Sequence, residues 1–340
     1  MLPKISIVTP SFNQGQFIEQ TIDSVLSQKY PQLEYFIIDG GSTDNTVEIV
    51  KKYSKYLTHW ISEPDRGQSD AINKGLKLST GDVFNWLNSD DYYEPNTLSF
   101  VGEQFLQKDC LVLCGKSRIF NERGTQYFSS GSDIYADNLA KTIGWARIDQ
   151  PETFFSKPLL DRVGYVNEQL DFVMDKELWM RILLQINLKN IYTSDTILAN
   201  FRLHANSKTI ATANNFEQEM DLLCHTIADK NGLHTITKGL VKAFNIPDKK
   251  IDSLFKTSNS NLLSDILNYY LFKRFLEVYT LNNFKTAKQL LNFIKREPLS
   301  NEEQKQIAQI IRRMQMPVLF KKIINALKSI GLNTSNLQIK

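Results

Sequence analysis

The first hundred residues alternate between short, unbroken apolar runs and longer amphipathic stretches. The runs "ISIVTP", "LEYFIID", "LTHWIS" and "VFNWL" show no polar face, the pattern of strands buried on both sides. Between them, "QFIEQTIDSVLSQKY" carries Phe17, Ile18, Ile22, Val25 and Leu26 at helical spacing. "NTVEIVKKYSKYL" places Val47, Val50, Tyr53 and Leu57 on one helical face. "QSDAINKGLKLSTGD" reads as a third helix, closed by a glycine. This β-α-β-α-β-α-β order predicts an α/β fold, a mostly parallel sheet with helices on both faces. Such sheets bind ligands beyond the carboxyl ends of their strands. Residues 9–13, 39–44, 63–67 and 88–91 then share one rim.

The pattern changes twice after that. Over residues 110–205, "LVLCGKSRIF" and "TQYFSSG" flank Asn121–Gly124 as a hairpin, "KPLLDRVG" and "DKELWMRILLQ" read as helices, and "NIYTSDTILANFRLH" reads as one or two strands. From about residue 212 glycine thins out and helical periodicity persists to about 330. The expected division is a nucleotide-binding α/β domain over 1–210 and a separate helical appendage over 211–340.

The end of the fourth strand raises a chemical question. "FNWLNSDDYY" sets Asp90 and Asp91 where the chain leaves the core. Asn, Ser and Asp are ordinary turn residues, and Pro95 fits the first turn of a following helix. Four polar clusters at four successive strand ends are harder to assign to turns alone. Together they form an acidic, hydroxyl-rich rim, with glycines where the backbone must approach a ligand. Carboxylates of this kind suit Mg²⁺ or Mn²⁺, which neutralises a pyrophosphate leaving group. Neither a P-loop nor a Gly-x-Gly-x-x-Gly fingerprint is present. The hydrophobic fraction of 42% and charged fraction of 23% are those of an ordinary globular chain. A net charge of +3 offers nucleic acid no strong field. Three cysteines without disulfide spacing predict reduced thiols and a cytoplasmic setting. No signal peptide opens the chain and no apolar run approaches the length of a membrane span, so a soluble or peripheral protein is expected.

Three blocks carry a resemblance. "VTPSFNQGQFIEQTIDSVLSQKYPQLEYFIIDGGSTDNT", "EPDRGQSDAINKG" and "WLNSDD" are similar to glycosyltransferase family 2, whose members have the GT-A fold. The match is dense over about residues 4–100 and weak to about 205. It implies inverting transfer of a sugar from a nucleotide-sugar with a divalent cation, Mn²⁺ or Mg²⁺. Carried over by residue, it implies that Thr9, Pro10, Ser11 and Asn13 hold the nucleoside and that Asp39 accepts a bond from the base. Asp44 lies in the same loop, where it also suits a helix N-cap. Arg66, Gly67 and Gln68 match the loop beside the nucleotide, and Asp70 and Asn73 begin the helix behind it. "NSDD" is similar to the family's Asp-x-Asp motif, with Asn88 where the family often has Asp. Asp90 is then the direct metal ligand, and Asp91 ligates or orients the sugar.

Inverting transfer also needs a carboxylate to take the acceptor proton. "FVMDKELWMRI" resembles the family's Glu-Asp block, so Asp175 matches the base, Met174 replaces the usual Glu, and Glu177 is the fallback. Trp179 follows on the helix, facing either the sugar or the core. "FRLHANSKT" resembles the segment in which a His reaches the metal, here His204, while Arg202 and Lys208 are placed to neutralise the diphosphate. "QPETFF" resembles the sugar and acceptor side, with Gln150 and Glu152. The segment 310–331 mixes apolar residues with lysine and arginine, and residues 301–340 carry a net charge of +5. A basic amphipathic helix there suits either the protein's own core or peripheral contact with the inner membrane. The resemblance implies a UDP-sugar donor, a glycan or lipid-linked acceptor, and bacterial surface polysaccharide or glycolipid synthesis. Two rivals from other classes are a non-catalytic nucleotide-sugar-binding protein and a sugar nucleotidyltransferase. Asp175 separates the first, and release of pyrophosphate separates the second.

Overall fold

The computed structural model describes residues 1–205 and 207–315. The alternation seen in the sequence becomes β1 (Ile5–Ser11), α1 (Ile18–Leu26), β2 (Leu33–Asp39), α2 (Thr46–Tyr53), β3 (His59–Ser62), α3 (Gln68–Leu78) and β4 (Val83–Trp86). The chain continues through β5 (Tyr92–Tyr93), α4 (Thr97–Gln107), β6 (Val112–Asn121), β7 (Gly124–Phe128), α5 (Leu139–Trp145), β8 (Thr153–Ser156), α6 (Lys157–Val163), α7 (Met174–Leu183) and β9 (Ile191–Arg202). Helices follow: α8 (Lys208–Ala211), α9 (Ala213–Lys230), α10 (His234–Ala243), α11 (Ser260–Thr280), α12 (Phe284–Leu291) and α13 (Asn301–Gln315).

One sheet runs in the order β3-β2-β1-β4-β8-β6-β9-β5, with β7 hairpinned onto β6. The first four strands are parallel, as the sequence predicts. The rest is mixed: β8 runs antiparallel to both β4 and β6, β6 and β9 are parallel, and β5 is antiparallel to β9. Alternate residues of each central strand feed two cores. Val8, Phe36 and Ile38 face one, while Ile7, Tyr35 and Ile37 face the other. Two local expectations are corrected. Helix α3 ends at Ser79 in extended backbone, not at a glycine. Gly81 instead lets the chain press against β1, since a Cβ there would lie 2.5 Å from Ser6 Oγ. Pro95 precedes the N-cap of α4, the left-handed Asn96.

The helical region beyond residue 210 is not packed separately. Its Leu223, Leu240, Ile266, Phe272 and Met314 share one continuous core with Trp86 and Phe155 of the sheet and Trp179 of α7. Helix α11 lies against α5, where Gly144 removes the side chain that would keep them apart. A Cβ there would collide with the Ile266 carbonyl and lie 2.7 Å from Tyr269 Cβ. Asn138 donates to Tyr269 Oη at 2.8 Å, and Lys273 Nζ to the Trp145 carbonyl at 2.8 Å. Gly144→Ala is therefore expected to destabilise the whole fold by about 1–3 kcal/mol, the cost of overpacking. A single, earlier denaturation transition checks it, and two separate transitions would contradict the shared core. Of the basic segment 310–331, residues 310–315 end α13, with Ile310 and Met314 buried in this core. Residues 316–331 lie outside the described residues. No helix among the described residues is long and apolar enough to cross a membrane.

Candidate active site

The parallel register brings the ends of three strands side by side: Ser11 pairs with Asp39 and Asp39 with Ser62. Asp39 is buried, and its carboxylate is fully engaged. It accepts from the Gly41 and Ser42 amides at 3.1 and 2.9 Å and from the Ser42 and Ser62 hydroxyls at 2.5 and 2.6 Å. Three of the four bonds fall on Oδ2 and one on Oδ1, and Asp39 itself does not line the adjoining cavity. Pro10, Ser11 and Gly40 line that cavity, and Ser11 Oγ is buried without a hydrogen-bond partner. Thr9 points elsewhere: its hydroxyl is buried against Tyr35 Oη at 3.0 Å. Asn13 ties two loops together by accepting from the Thr43 amide at 2.8 Å. Asp44 is not the N-cap of α2, which is Asn45; it ties the loop together, accepting from the Thr46 amide at 3.0 Å and the Gly15 amide at 2.9 Å.

The loop before α3 is built around Asp70. The Arg66 amide and guanidinium donate to its two oxygens at 3.1 and 2.9 Å, which holds its carboxyl below the usual range. Arg66 is otherwise exposed and pairs with Glu168 at 2.6 Å. Asn73 exchanges bonds with the Val166 amide and carbonyl, both 2.9 Å. Arg66, Asp70 and Asn73 thus shape the loop, while Gly67 and Gln68 face the cavity. Gly67 has φ 109°, a conformation that glycine alone adopts readily. Gln68 donates to Asn88 Oδ1 at 2.8 Å and accepts from Lys208 Nζ at 3.1 Å. Asn88 and Lys208 therefore meet across the cavity wall as a polar chain.

The two carboxylates that follow β4 diverge. Asp90 faces the cavity, and its Oδ2 lies 2.9 Å from His204 Nε2. Asp91 turns inward. One oxygen accepts the Arg202 amide at 2.9 Å, and the other is buried without a partner. Burial, then the charge of Asp90, pushes the Asp91 carboxyl well above its usual range. Arg202 faces away from the cavity. It donates to the Asp90 carbonyl at 2.9 Å with its guanidinium 4.8 Å from Phe17 and 4.6 Å from Phe120, locking the Asp90 backbone.

Whether these groups fit a divalent cation can be tested on their spacing. Two adjacent donors on an octahedral ion with bonds of about 2.1 Å stand about 3.0 Å apart. The Asp90–His204 separation of 2.9 Å matches that. Among the described residues no group of three or more such ligands is gathered. The pair alone suits an ion whose other positions are filled by water and phosphate oxygens, the habit of Mg²⁺ at nucleotide sites.

Helix α7 presents Asp175 to the cavity. Its Oδ1 accepts the Lys176 amide at 2.8 Å, and desolvation raises its carboxyl pKa. Residues two apart on a helix lie about 200° apart around the axis. Glu177 accordingly faces the core, paired with Arg181 at 2.9 Å, and does not reach the cavity. Trp179 is fully buried in the core and is not on the sugar side. Gln150 and Glu152 do line the cavity. Gln150 donates to Asn85 Oδ1 at 2.8 Å and to the Trp86 carbonyl at 2.7 Å. Glu152 meets the Ser117 hydroxyl and that of Ser129, the latter at 3.0 Å. Burial, then the charge of Asp149, pushes the Glu152 carboxyl up to about 8. A carboxyl raised on folding binds its proton more tightly in the folded chain. Its contribution to stability is full below the unfolded value near 4.5 and is lost as pH rises towards about 8. Glu152→Gln should flatten that fall. Thermal denaturation at several pH values checks it, and an unchanged slope would move the titrating group elsewhere.

The cavity has a volume of about 1150 Å³. That is somewhat more than the roughly 300–1,000 Å³ of a pocket for one small ligand. Sequence reasoning missed several of its walls, Tyr127, Phe128, Ser129 and Asp149, while Phe12 lies in the 9–13 rim it named. The signal for two of them was visible in "TQYFSSG", where adjacent aromatics in a hairpin strand break the alternation of a half-buried strand.

With this geometry in hand, the chain was compared with known proteins. Residues 6–162 match the family model described as Glycosyl transferase family 2. An uncharacterized glycosyltransferase of Rickettsia typhi is 26% identical over 301 residues, 85% of this chain and 86% of the relative. An uncharacterized glycosyltransferase of Mycobacterium tuberculosis is 28% identical over 171 residues, 50% of this chain and 58% of the relative. Among solved structures, S. aureus TarS in complex with UDP-GlcNAc superposes with a TM-score of 0.59 at 20% identity, covering 87% of this chain and 82% of that one. The mannosyltransferase PcManGT from Pyrobaculum calidifontis, in complex with GDP-Man and Mn²⁺, has a TM-score of 0.50 at 17% identity, covering 91% of this chain and 79% of that one. At such identities the two structures speak for the fold.

Proposed function

We propose that this chain, a glycosyltransferase whose residues 6–162 match the family 2 model, moves a sugar from a UDP-sugar to an acceptor hydroxyl with inversion. One observation carries the reading. A strand-end rim (Pro10, Ser11, Gly40, Gly67), the carboxylate of Asp90 and the raised carboxylate of Asp175 line a single cavity, and Asp90 is backed by the His204 imidazole at 2.9 Å. A nucleoside, its diphosphate and a hydroxyl to be deprotonated need those three environments together.

In this reading the acceptor oxygen attacks the anomeric carbon from the face opposite the leaving group. The bond from that carbon to the diphosphate oxygen breaks, and UDP leaves with the bonding electrons. Asp175 takes the acceptor proton. Asp90 and His204 would hold a divalent cation, Mn²⁺ or Mg²⁺, whose positive charge would offset the negative charge gained by the diphosphate. Lys208, on the same wall, adds a cation beside Gln68. The raised pKa of Asp175 makes it a stronger base than an ordinary Asp, a property the chemistry uses.

The same proposal gives the enzyme a glycan or lipid-linked acceptor in bacterial surface polysaccharide or glycolipid synthesis. It places the enzyme in the cytoplasm, with the basic residues Lys321, Lys322 and Lys328 of the segment 310–331, beyond the core-packed α13, as a peripheral contact to the inner membrane. That assignment draws on the basic composition of the segment. Calorimetric titration with UDP, GDP and dTDP, with and without Mn²⁺, tests the donor reading. UDP should bind in a metal-dependent way, and GDP and dTDP more weakly. Binding of none of the three would remove the donor assignment.

A further inference from the structure

Strand β7 is exposed along its whole length, yet it ends in two aromatic residues. Tyr127 is 59% and Phe128 51% exposed, and both line the mouth of the active cavity. Large rings left in water at a cavity mouth call for a ligand more than rings scattered over a surface do. These two are also held in place. The hairpin register sets Tyr127 opposite Ile119 and Phe128 opposite Arg118. The Arg118 guanidinium lies 5.5 Å from the Phe128 ring and is itself anchored to Glu94 at 3.0 Å. The next residue, Ser129, is stitched to the sheet. Its amide donates to the Ser117 carbonyl at 2.8 Å, its hydroxyl receives the Ser117 amide at 2.9 Å, and that hydroxyl donates to Glu152 at 3.0 Å.

The groups beneath the rings say what they face. Ser129, Ser130, Asp149, Gln150 and Glu152 line the same end of the cavity. Ile119, Ile148 and Pro151 line the cavity beside them, so the surface is mixed, and a lipid chain would leave the hydroxyls and carboxyls without partners. A phosphate would meet two acids, Asp149 and Glu152. The cation there, Arg147, is already shared between Asp133 and Asp149, each at 3.4 Å. A neutral ring with apolar C–H faces and hydroxyl edges matches both the walls and the floor. We propose that the β6–β7 hairpin is the acceptor subsite, with Tyr127 and Phe128 stacking on an uncharged pyranose at the acceptor end. The proposal rests on the glycosyl-transfer reading above and narrows it to a saccharide acceptor.

The test uses the full chain saturated with UDP and Mn²⁺. Methyl β-glucopyranoside, methyl β-galactopyranoside and methyl N-acetyl-β-glucosaminide serve as probes, with glycerol 3-phosphate as the charged control. Saturation-transfer NMR should show ring-proton signals for at least one pyranoside and none for glycerol 3-phosphate. Tyr127→Ala combined with Phe128→Ala should weaken pyranoside binding about tenfold or more, and Tyr127→Phe should retain it. Calorimetric UDP binding by each variant shows that the fold is intact. Unchanged pyranoside signals in the double variant would overturn the proposal. So would a silent panel, or glycerol 3-phosphate as the sole binder, while UDP still binds. A dimer that the double substitution dissolves, with pyranoside signals unaltered, would assign the rings to a second copy of the chain instead. Failure of the unaltered protein to bind UDP would bring down the donor reading first.

Discussion

Asp175→Asn lowers the rate of sugar transfer by about 10²–10⁴-fold, the usual contribution of a general base, and leaves UDP affinity unchanged. The substitution keeps the shape of the side chain and its bond from the Lys176 amide, since an amide oxygen accepts as a carboxylate oxygen does. What it removes is the capacity to take a proton. The fallback base seen in the sequence, Glu177, is paired with Arg181 in the core, so no neighbour on α7 substitutes for it. A pH profile gives a second readout. Asp175 must be ionised to act, and burial raises its pKa. The plot of kcat/KM therefore climbs with pH through a value above the ordinary Asp range, and the variant loses that limb. Transfer within a few-fold of the unaltered enzyme would show that another group accepts the proton.

Asp90→Ala should weaken UDP binding in Mn²⁺ by about 10²-fold, to the level seen without metal. Two contacts make the substitution informative. Arg202 donates to the main-chain carbonyl of Asp90, so the loop keeps its anchor when the side chain is cut back. His204 loses its 2.9 Å partner, so the pair is broken without touching the rim at Ser11 and Gly40. Titration of the variant with UDP, with and without Mn²⁺, reads the difference directly. A variant that still gains affinity from Mn²⁺ would move the ion away from this corner.

The first half of the fold was legible because parallel strands buried on both faces leave unbroken apolar runs, and the helices between them need only one apolar side. The antiparallel half was harder. β5 has two residues and β8 four, too few for any periodicity, and their partners are fixed by tertiary packing. The site was legible at the level of loops and less so at the level of side chains. Every residue of β1 is buried, so nothing in "ISIVTPS" tells that Ser11 lines the cavity while Thr9 packs on Tyr35. Asp90 and Asp91 read as a pair, yet adjacent residues leaving a strand point apart, and only Asp90 reaches the rim. Trp179 was named beside the sugar side but read better as packing, and it is buried under the helices that close over α7. The hairpin aromatics were in plain view but had no chemistry of their own to attract notice.

The core that runs unbroken from Trp86 to Met314 limits how such enzymes diversify. Thr209 and Phe216, on the helices that follow the sheet, form part of the cavity wall. A different wall looks like an easy graft, made by joining this α/β half to the helices of a relative. Here the join would cut through the packing of Gly144 on Ile266 and Tyr269, so the imported helices must also match the back of α5. If the β6–β7 hairpin holds the acceptor as proposed, its exposed rings are the more accessible place for new acceptor preferences.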